Sequence, residues 1–156
     1  MDFQATLFII CGLPGAGKTT LAKNIEGALS AVRMSADDWM TALSINLHAE
    51  EQRTKIEALQ WELAKRLLSL RQNVVIEWGA WGKRERDAFR TEARALGARV
   101  ELYYLSAPLE ELFARIQQRN MEDPPIEWPD VQKWADVFEA PSSAEMNLFD
   151  TPSWNQ

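Results

Sequence analysis

Residues 12–19, GLPGAGKT, follow directly on the apolar run LFIIC of residues 7–11, and their reading decides the fold. An apolar run with β-branched and aromatic content that meets turn residues at once reads as a buried strand. From Lys18 onward, Leu21, Ile25, Ala28 and Leu29 recur at helical spacing. Glycines between strand and helix let the backbone curl until successive N–H groups point inward at one anion. The helix that follows adds its positive N-terminal end. The eight residues fit the phosphate-loop pattern GxxxxGK[ST] in the required strand–loop–helix context. Gly12, Gly15, Ala16, Gly17 and Thr20 then belong to the cradle. Lys18 reaches the β- and γ-phosphates, and Thr19 offers its hydroxyl to Mg²⁺. The expected occupant is ATP.

Working outward, short apolar strands alternate with helical patterns. Ala31–Ser35 reads as a second strand, ending at Asp37-Asp38. Between Ala49 and Arg71, Ile56, Leu59, Leu63, Leu67 and Leu70 form the apolar stripe of the longest helix. Val74–Ile76 is a third strand, ending at Glu77. Lys83–Leu96 is a charged helix stopped at Gly97, Val100–Leu105 a fourth strand, and Pro108 opens a helix running to about Asn120. This alternation implies an α/β fold with a mostly parallel sheet covered on both faces. Ligands of such sheets bind at the carboxyl ends of the strands. Residues 121–135, MEDPPIEWPDVQKWA, read as an irregular excursion and a lid, and the tail from Ala140 is weakly patterned.

Composition sets bounds. The chain has 156 residues, enough for one domain with an ordinary core, so 1–156 is read as a single unit. A net charge of −6 argues against a general nucleic-acid binder. One cysteine, Cys11, leaves no intramolecular disulfide, which suits a reducing cytoplasm; inside its apolar run it reads as a structural thiol. The N-terminus has no signal-peptide pattern, and no stretch approaches the roughly 20 apolar residues of a membrane span. The single histidine, His48, reads as a surface residue.

Other chemistry-bearing residues fall at the predicted strand ends. Asp37 is the preferred base for a substrate hydroxyl attacking the γ-phosphate and can orient Mg²⁺ through water. Asp38 reads as a helix cap or acceptor support. Glu77 can hold a substrate hydroxyl or a magnesium water, or be a solvated strand end. Trp78 and Trp81 are candidates for an aromatic wall around the acceptor, with core filling as the alternative. Of Arg84, Arg86 and Arg90, most are expected in solvent, beside Glu85 and Asp87. Arg115 and Arg119 share a helix face leading into the lid and can stabilise charge on the transferring group.

The motifs GLPGAGKTT, SADDWM, VVIEWGAWGKRERDAFR, YYLSAPLEELFARIQQRN and FEAPSSAEMNLFD together resemble the small P-loop kinases of the nucleoside-monophosphate-kinase-like group. Within it the chain looks most like a bacterial family described as AAA-type ATP-binding proteins or predicted kinases. Relatives include chloramphenicol phosphotransferase, zeta toxins and the kinase domain of polynucleotide kinase. The resemblance implies a three-layer P-loop NTPase fold, use of ATP with Mg²⁺, and phosphoryl transfer to a hydroxyl. It places Asp37 as base, Arg115 on adenine and Arg119 on phosphate. No fifth strand is visible after the lid, and Phe138–Pro141 is a substitute candidate for contacting adenine. The expected activity is a cytoplasmic ATP:alcohol phosphotransferase acting on a small molecule such as an antibiotic, nucleoside or sugar. The alternatives are a regulatory nucleotide-binding ATPase and a zeta-like toxin acting on a nucleotide sugar.

Overall fold

The computed structural model describes residues 4–154. Strands β1 (Thr6–Cys11), β2 (Ala31–Met34), β3 (Asn73–Gly79) and β4 (Arg99–Tyr104) form one parallel sheet in the order β2-β3-β1-β4. Between them run α1 (Lys18–Ala28), α2 (Ala36–Ala42), α3 (Glu50–Ser69) and α4 (Lys83–Ala95). After β4 come α5 (Leu109–Arg119), α6 (Trp128–Val137) and the short α7 (Ser143–Met146). The expected three-layer P-loop kinase arrangement is present. Among the described residues no helix is long and apolar enough to cross a membrane.

β1 is central, and all six of its residues are buried. Its side chains alternate between the two faces of the sheet. Leu7, Ile9 and Cys11 join Val74, Ile76, Val100 and Leu102 beneath α3 and α4, where Trp61, Ala64, Leu68, Phe89 and Ala93 close the layer. Phe8, Ile10 and Val75 face Leu21, Ala22 and Ile25 of α1.

β3 does not end at Glu77 but continues to Gly79. The pairing runs Ile9↔Ile76 and then Cys11↔Gly79, so β3 carries one extra residue beside β1. Glu77 therefore lies within the strand and reaches Thr19 of α1, while its neighbour Trp78 packs on the opposite face against Trp61 and Phe89.

Three expectations are corrected. The buried stripe of α3 is Ile56, Gln60, Trp61, Ala64 and Leu68, while Leu59 and Leu70 are exposed. The face is turned because Gln60 bonds the interior: its Nε2 donates to Ser35 O (3.0 Å), and its Oε1 accepts from Trp78 Nε1 (2.7 Å). Second, the segment read as an irregular lid is irregular only through residue 127, beyond which α6 begins. Asp130 accepts from Glu127 N (2.9 Å) and Pro129 lies in the first turn, so the helix start is well made. Third, Arg86 is fully buried, not solvated. Its guanidinium donates to Glu145 (2.7 and 2.9 Å), Ala80 O (2.7 Å) and Glu139 O (2.8 Å).

The weakly patterned tail has a definite place. Asp150 exchanges hydrogen bonds with Val100, its N donating to Val100 O and its Oδ2 accepting from Val100 N, both at 2.8 Å. Ser153 donates to the buried Glu101, and Trp154 N donates to Tyr103 Oη (3.0 Å). The tail thereby covers the β4 edge, which would otherwise present unpaired backbone groups.

Candidate active site

The loop between β1 and α1 is held by close contacts. A Cβ on Gly15, at φ +87°, would lie 2.8 Å from Leu112 O of α5. Only glycine accepts both that conformation and that approach. Gly12 N donates to Gly79 O (3.0 Å) and Ala16 N to Leu13 O (3.2 Å), so these two amides serve the loop's own shape. The amides of Gly15, Gly17, Lys18, Thr19 and Thr20 have no partner among the described residues. Five unpaired N–H groups at the start of an 11-residue helix suit a polyphosphate.

Lys18 folds back on this loop, its Nζ donating to Leu13 O (2.9 Å). Burial pushes its ammonium down to about 8, against the pull of Glu77 and Asp37. Thr19 Oγ1 donates to Glu77 Oε1 (3.2 Å), which also accepts from Arg33 Nη1 (3.1 Å). The Glu77 side chain is 6% exposed and its Oε2 has no partner. Burial raises the Glu77 carboxyl, opposed chiefly by Arg33. Among the described residues no three or more His, Cys, Asp or Glu side chains group into a metal cage.

The acidic pair after β2 is divided by helix geometry. Ser35, not an aspartate, caps α2, its hydroxyl accepting from Asp38 N (3.2 Å). Asp37 and Asp38 both stand in the first turn, about 100° apart around the axis. Asp37 lines the cavity, with Arg53 Nη1 2.5 Å from its Oδ1. Asp38 turns aside to pair with Arg33.

These groups share one cavity of about 780 Å³ between the phosphate loop, α2, α3, the β3 end, α4 and α5. Lys18, Thr19, Asp37, Glu77, Arg115 and Arg119 all line it. Arg115 donates to Gly15 O (3.0 Å), against the loop, and Arg119 pairs with Glu122 (3.1 Å). Trp78 and Trp81 line it too, and each is also packed: Trp78 against Trp61 and Phe89, Trp81 against Trp134 and Phe138. Each thus lines the cavity while packed among other rings. The 138–141 segment is tied to the start of α4, Glu139 accepting from Lys83 N and donating to Trp81 O. His48 is exposed as expected, and its Nε2 meets Pro124 O at 2.7 Å, joining the α2–α3 loop to the segment after α5. Burial pushes the Cys11 thiol up to about 11, which keeps it inert at neutral pH.

Sequence reasoning missed Arg53, Glu57, Trp61 and Glu85, which line the cavity from α3 and α4. No motif marks them; only the packing of the two helices brings them together.

A family model described as an AAA domain matches residues 7–141. A gluconokinase of Arabidopsis thaliana is 28% identical over 135 residues, covering 78% of this chain and 71% of that protein. Among solved structures, a chain of the Pnkp1/Rnl/Hen1 RNA repair complex superposes with a TM-score of 0.75 at 21% identity, covering 96% of this chain. Our chain spans only 48% of that one. A gluconokinase from Sinorhizobium meliloti 1021 superposes with a TM-score of 0.62 at 19% identity, covering 92% of this chain and 79% of its own. The match over most of the length, on a parallel sheet whose first turn is a phosphate loop, places the chain in the AAA domain family as a small P-loop kinase-like protein.

Proposed function

We propose that the protein transfers the γ-phosphoryl group of ATP to a hydroxyl of a small molecule. The observation that carries this reading is the single cavity that joins five unpaired loop amides to a recess with a carboxylate, Asp37, and aromatic walls. The amides of Gly15 and Gly17 to Thr20 bind the β- and γ-phosphates, and Lys18 leaves Leu13 O to meet them. Arg119 adds positive charge at the transferring group, and Arg115, resting on Gly15 O, borders the nucleotide. Thr19 and the water-binding Glu77 would hold Mg²⁺, which when bound neutralises charge on the β- and γ-oxygens. Asp37, oriented by Arg53, accepts the acceptor's proton as its oxygen attacks phosphorus; the bond to the β-phosphate oxygen breaks and ADP leaves. The segment after Arg119 shields the reaction from water. A single cysteine, Cys11, suits a reducing compartment, and the cytoplasm is the location we propose.

A panel of hydroxylated metabolites, sugars, nucleosides and antibiotics, with a 5′-hydroxyl oligonucleotide because of the RNA-repair likeness, is screened for acceptor-dependent ADP release. Asp37→Asn keeps nucleotide affinity and loses transfer by about 10²–10⁴-fold, the usual size of a general-base contribution. Undiminished transfer in that variant would remove Asp37 from the chemistry. Efficient phosphorylation of the oligonucleotide alone would move the acceptor class to nucleic acid. Nucleotide binding with no acceptor in any class would favour a regulatory ATPase.

A further inference from the structure

The cavity holds two acidic groups that the transfer scheme does not use. Glu57 on α3 and Glu85 on α4 both line it. Each stands four residues before an aromatic on its own helix, Trp61 and Phe89, and so shares a face with it. Those two rings meet at 4.8 Å where the helices cross, which brings the carboxylates to one aromatic floor. Trp78 stands edge-on to both rings. Neither Glu57 nor Glu85 forms an ion pair with a cationic side chain among the described residues. The cavity's own cations are spoken for. Lys18 and Arg115 rest on the phosphate loop, Arg119 pairs with Glu122, and Arg53 pairs with Asp37. Trp61, only 8% exposed, lines the same recess with its indole N–H unpartnered. Such an arrangement leaves the two carboxylates, Glu57 half-buried and Glu85 exposed, with water as their partner and no counter-charge beside them.

We propose that Glu57 and Glu85, set on the Trp61–Phe89–Trp78 floor, form a cation subsite, so that the acceptor is a hydroxylated amine rather than a sugar acid. This rests on the phosphotransferase reading, since it names the substrate class of that site. An ammonium group would find two carboxylates and aromatic faces, the combination that attracts organic cations. Burial and the nearby Glu85 push the Glu57 carboxyl up to about 7, as expected of a group with no partner, and a bound ammonium would bring it back down. A carboxylate-bearing acceptor would meet like charge there, and that repulsion excludes it.

Binding is read from quenching of tryptophan fluorescence, with benzyltrimethylammonium as the cationic probe and phenylacetate as the anionic one. This readout needs no phosphoryl transfer, so its failure is separable from failure of the kinase reading, which the ADP-release screen tests. The wild-type protein is expected to bind the cation at least tenfold tighter than the anion. The double variant E57Q/E85Q, nearly isosteric, loses that preference by about tenfold or more while keeping its affinity for an ATP analogue. In the acceptor panel, glucosamine is turned over in preference to glucose and gluconate. Equal or undetectable binding of the cation to the wild type overturns the proposal, as does a preference that persists in E57Q/E85Q.

Discussion

Lys18 is the residue whose state changes most if a triphosphate binds. Resting on Leu13 O and largely stripped of water, its ammonium sits at about 8 rather than in the usual lysine range. A polyphosphate beside it would raise that value again. Binding must therefore take up protons near and above pH 8, by linkage. Calorimetric titration with ATP at pH 8.5 in two buffers of different ionisation enthalpy is expected to show uptake of about half a proton or more. At pH 6.5 the group is already charged and the uptake vanishes. Affinity stays level below pH 8 and falls as pH rises beyond it. Equal apparent enthalpies in the two buffers at pH 8.5 would mean that Lys18 never meets the phosphates.

Among elements, the strands and the phosphate loop were legible because their signals are local. LFIIC is fully buried and GLPGAGKT lies where strand meets helix, so neighbours in sequence carry the whole message. The face of α3 was only partly legible, since five apolar residues at helical spacing pointed to one stripe, and the interior kept Ile56 and part of Leu67 but otherwise took Gln60, Trp61, Ala64 and Leu68. Gln60 decides that choice through Ser35 and Trp78, both distant in sequence. Arg86 likewise looked like one surface charge among several, until a tail with little pattern supplied Glu145. The acidic cavity wall was hidden for the same reason, because Glu57 and Glu85 meet only when α3 packs on α4. That packing has a measurable consequence. Glu57 sits at about 7 when folded and in the ordinary glutamate range when unfolded. A raised acid favours the folded state's protonated form, so stability is full below about pH 4.5 and declines as pH rises toward 7. Glu57→Gln removes the penalty. It is expected to stabilise the protein by about 1–2 kcal/mol at pH 8, allowing for the screening of a half-buried group, and to change little at pH 4.5. Denaturant unfolding at the two pH values checks it; an equal effect at both would show that α3 and α4 carry no such strain.

At the scale of the whole molecule, the sheet has four strands among the described residues, and the chain after α6 covers its β4 edge. Arg86 is the clasp. It joins the end of β1 at Cys11 Sγ (3.8 Å), the loop after β3 at Ala80 O, and the C-terminal segment at Glu139 O and Glu145. The position after Cys11 is Gly12, so the clasp also fixes the base of the phosphate loop. Removing one partner leaves a fully buried guanidinium without its counter-charge, a loss of about 3–5 kcal/mol. Glu145→Ala should thus lower the melting temperature by roughly 10 °C. Replacing both partners with apolar residues, Arg86→Met with Glu145→Leu, should recover part of that loss, because the pair's desolvation cost goes with it while Ala80 O and Glu139 O lose their donor. If the clasp is only local, Glu145→Ala will melt within about 3 °C of the wild type. If it organises the molecule, the variant will also bind ATP more weakly at temperatures where it is still folded, since the loop's anchor at Cys11 and Ala80 loosens with the tail. Coupled loss of stability and nucleotide affinity in the single variant, with stability but not affinity recovered in the double, which lacks the anchor at Cys11 and Ala80 altogether, is the expected result.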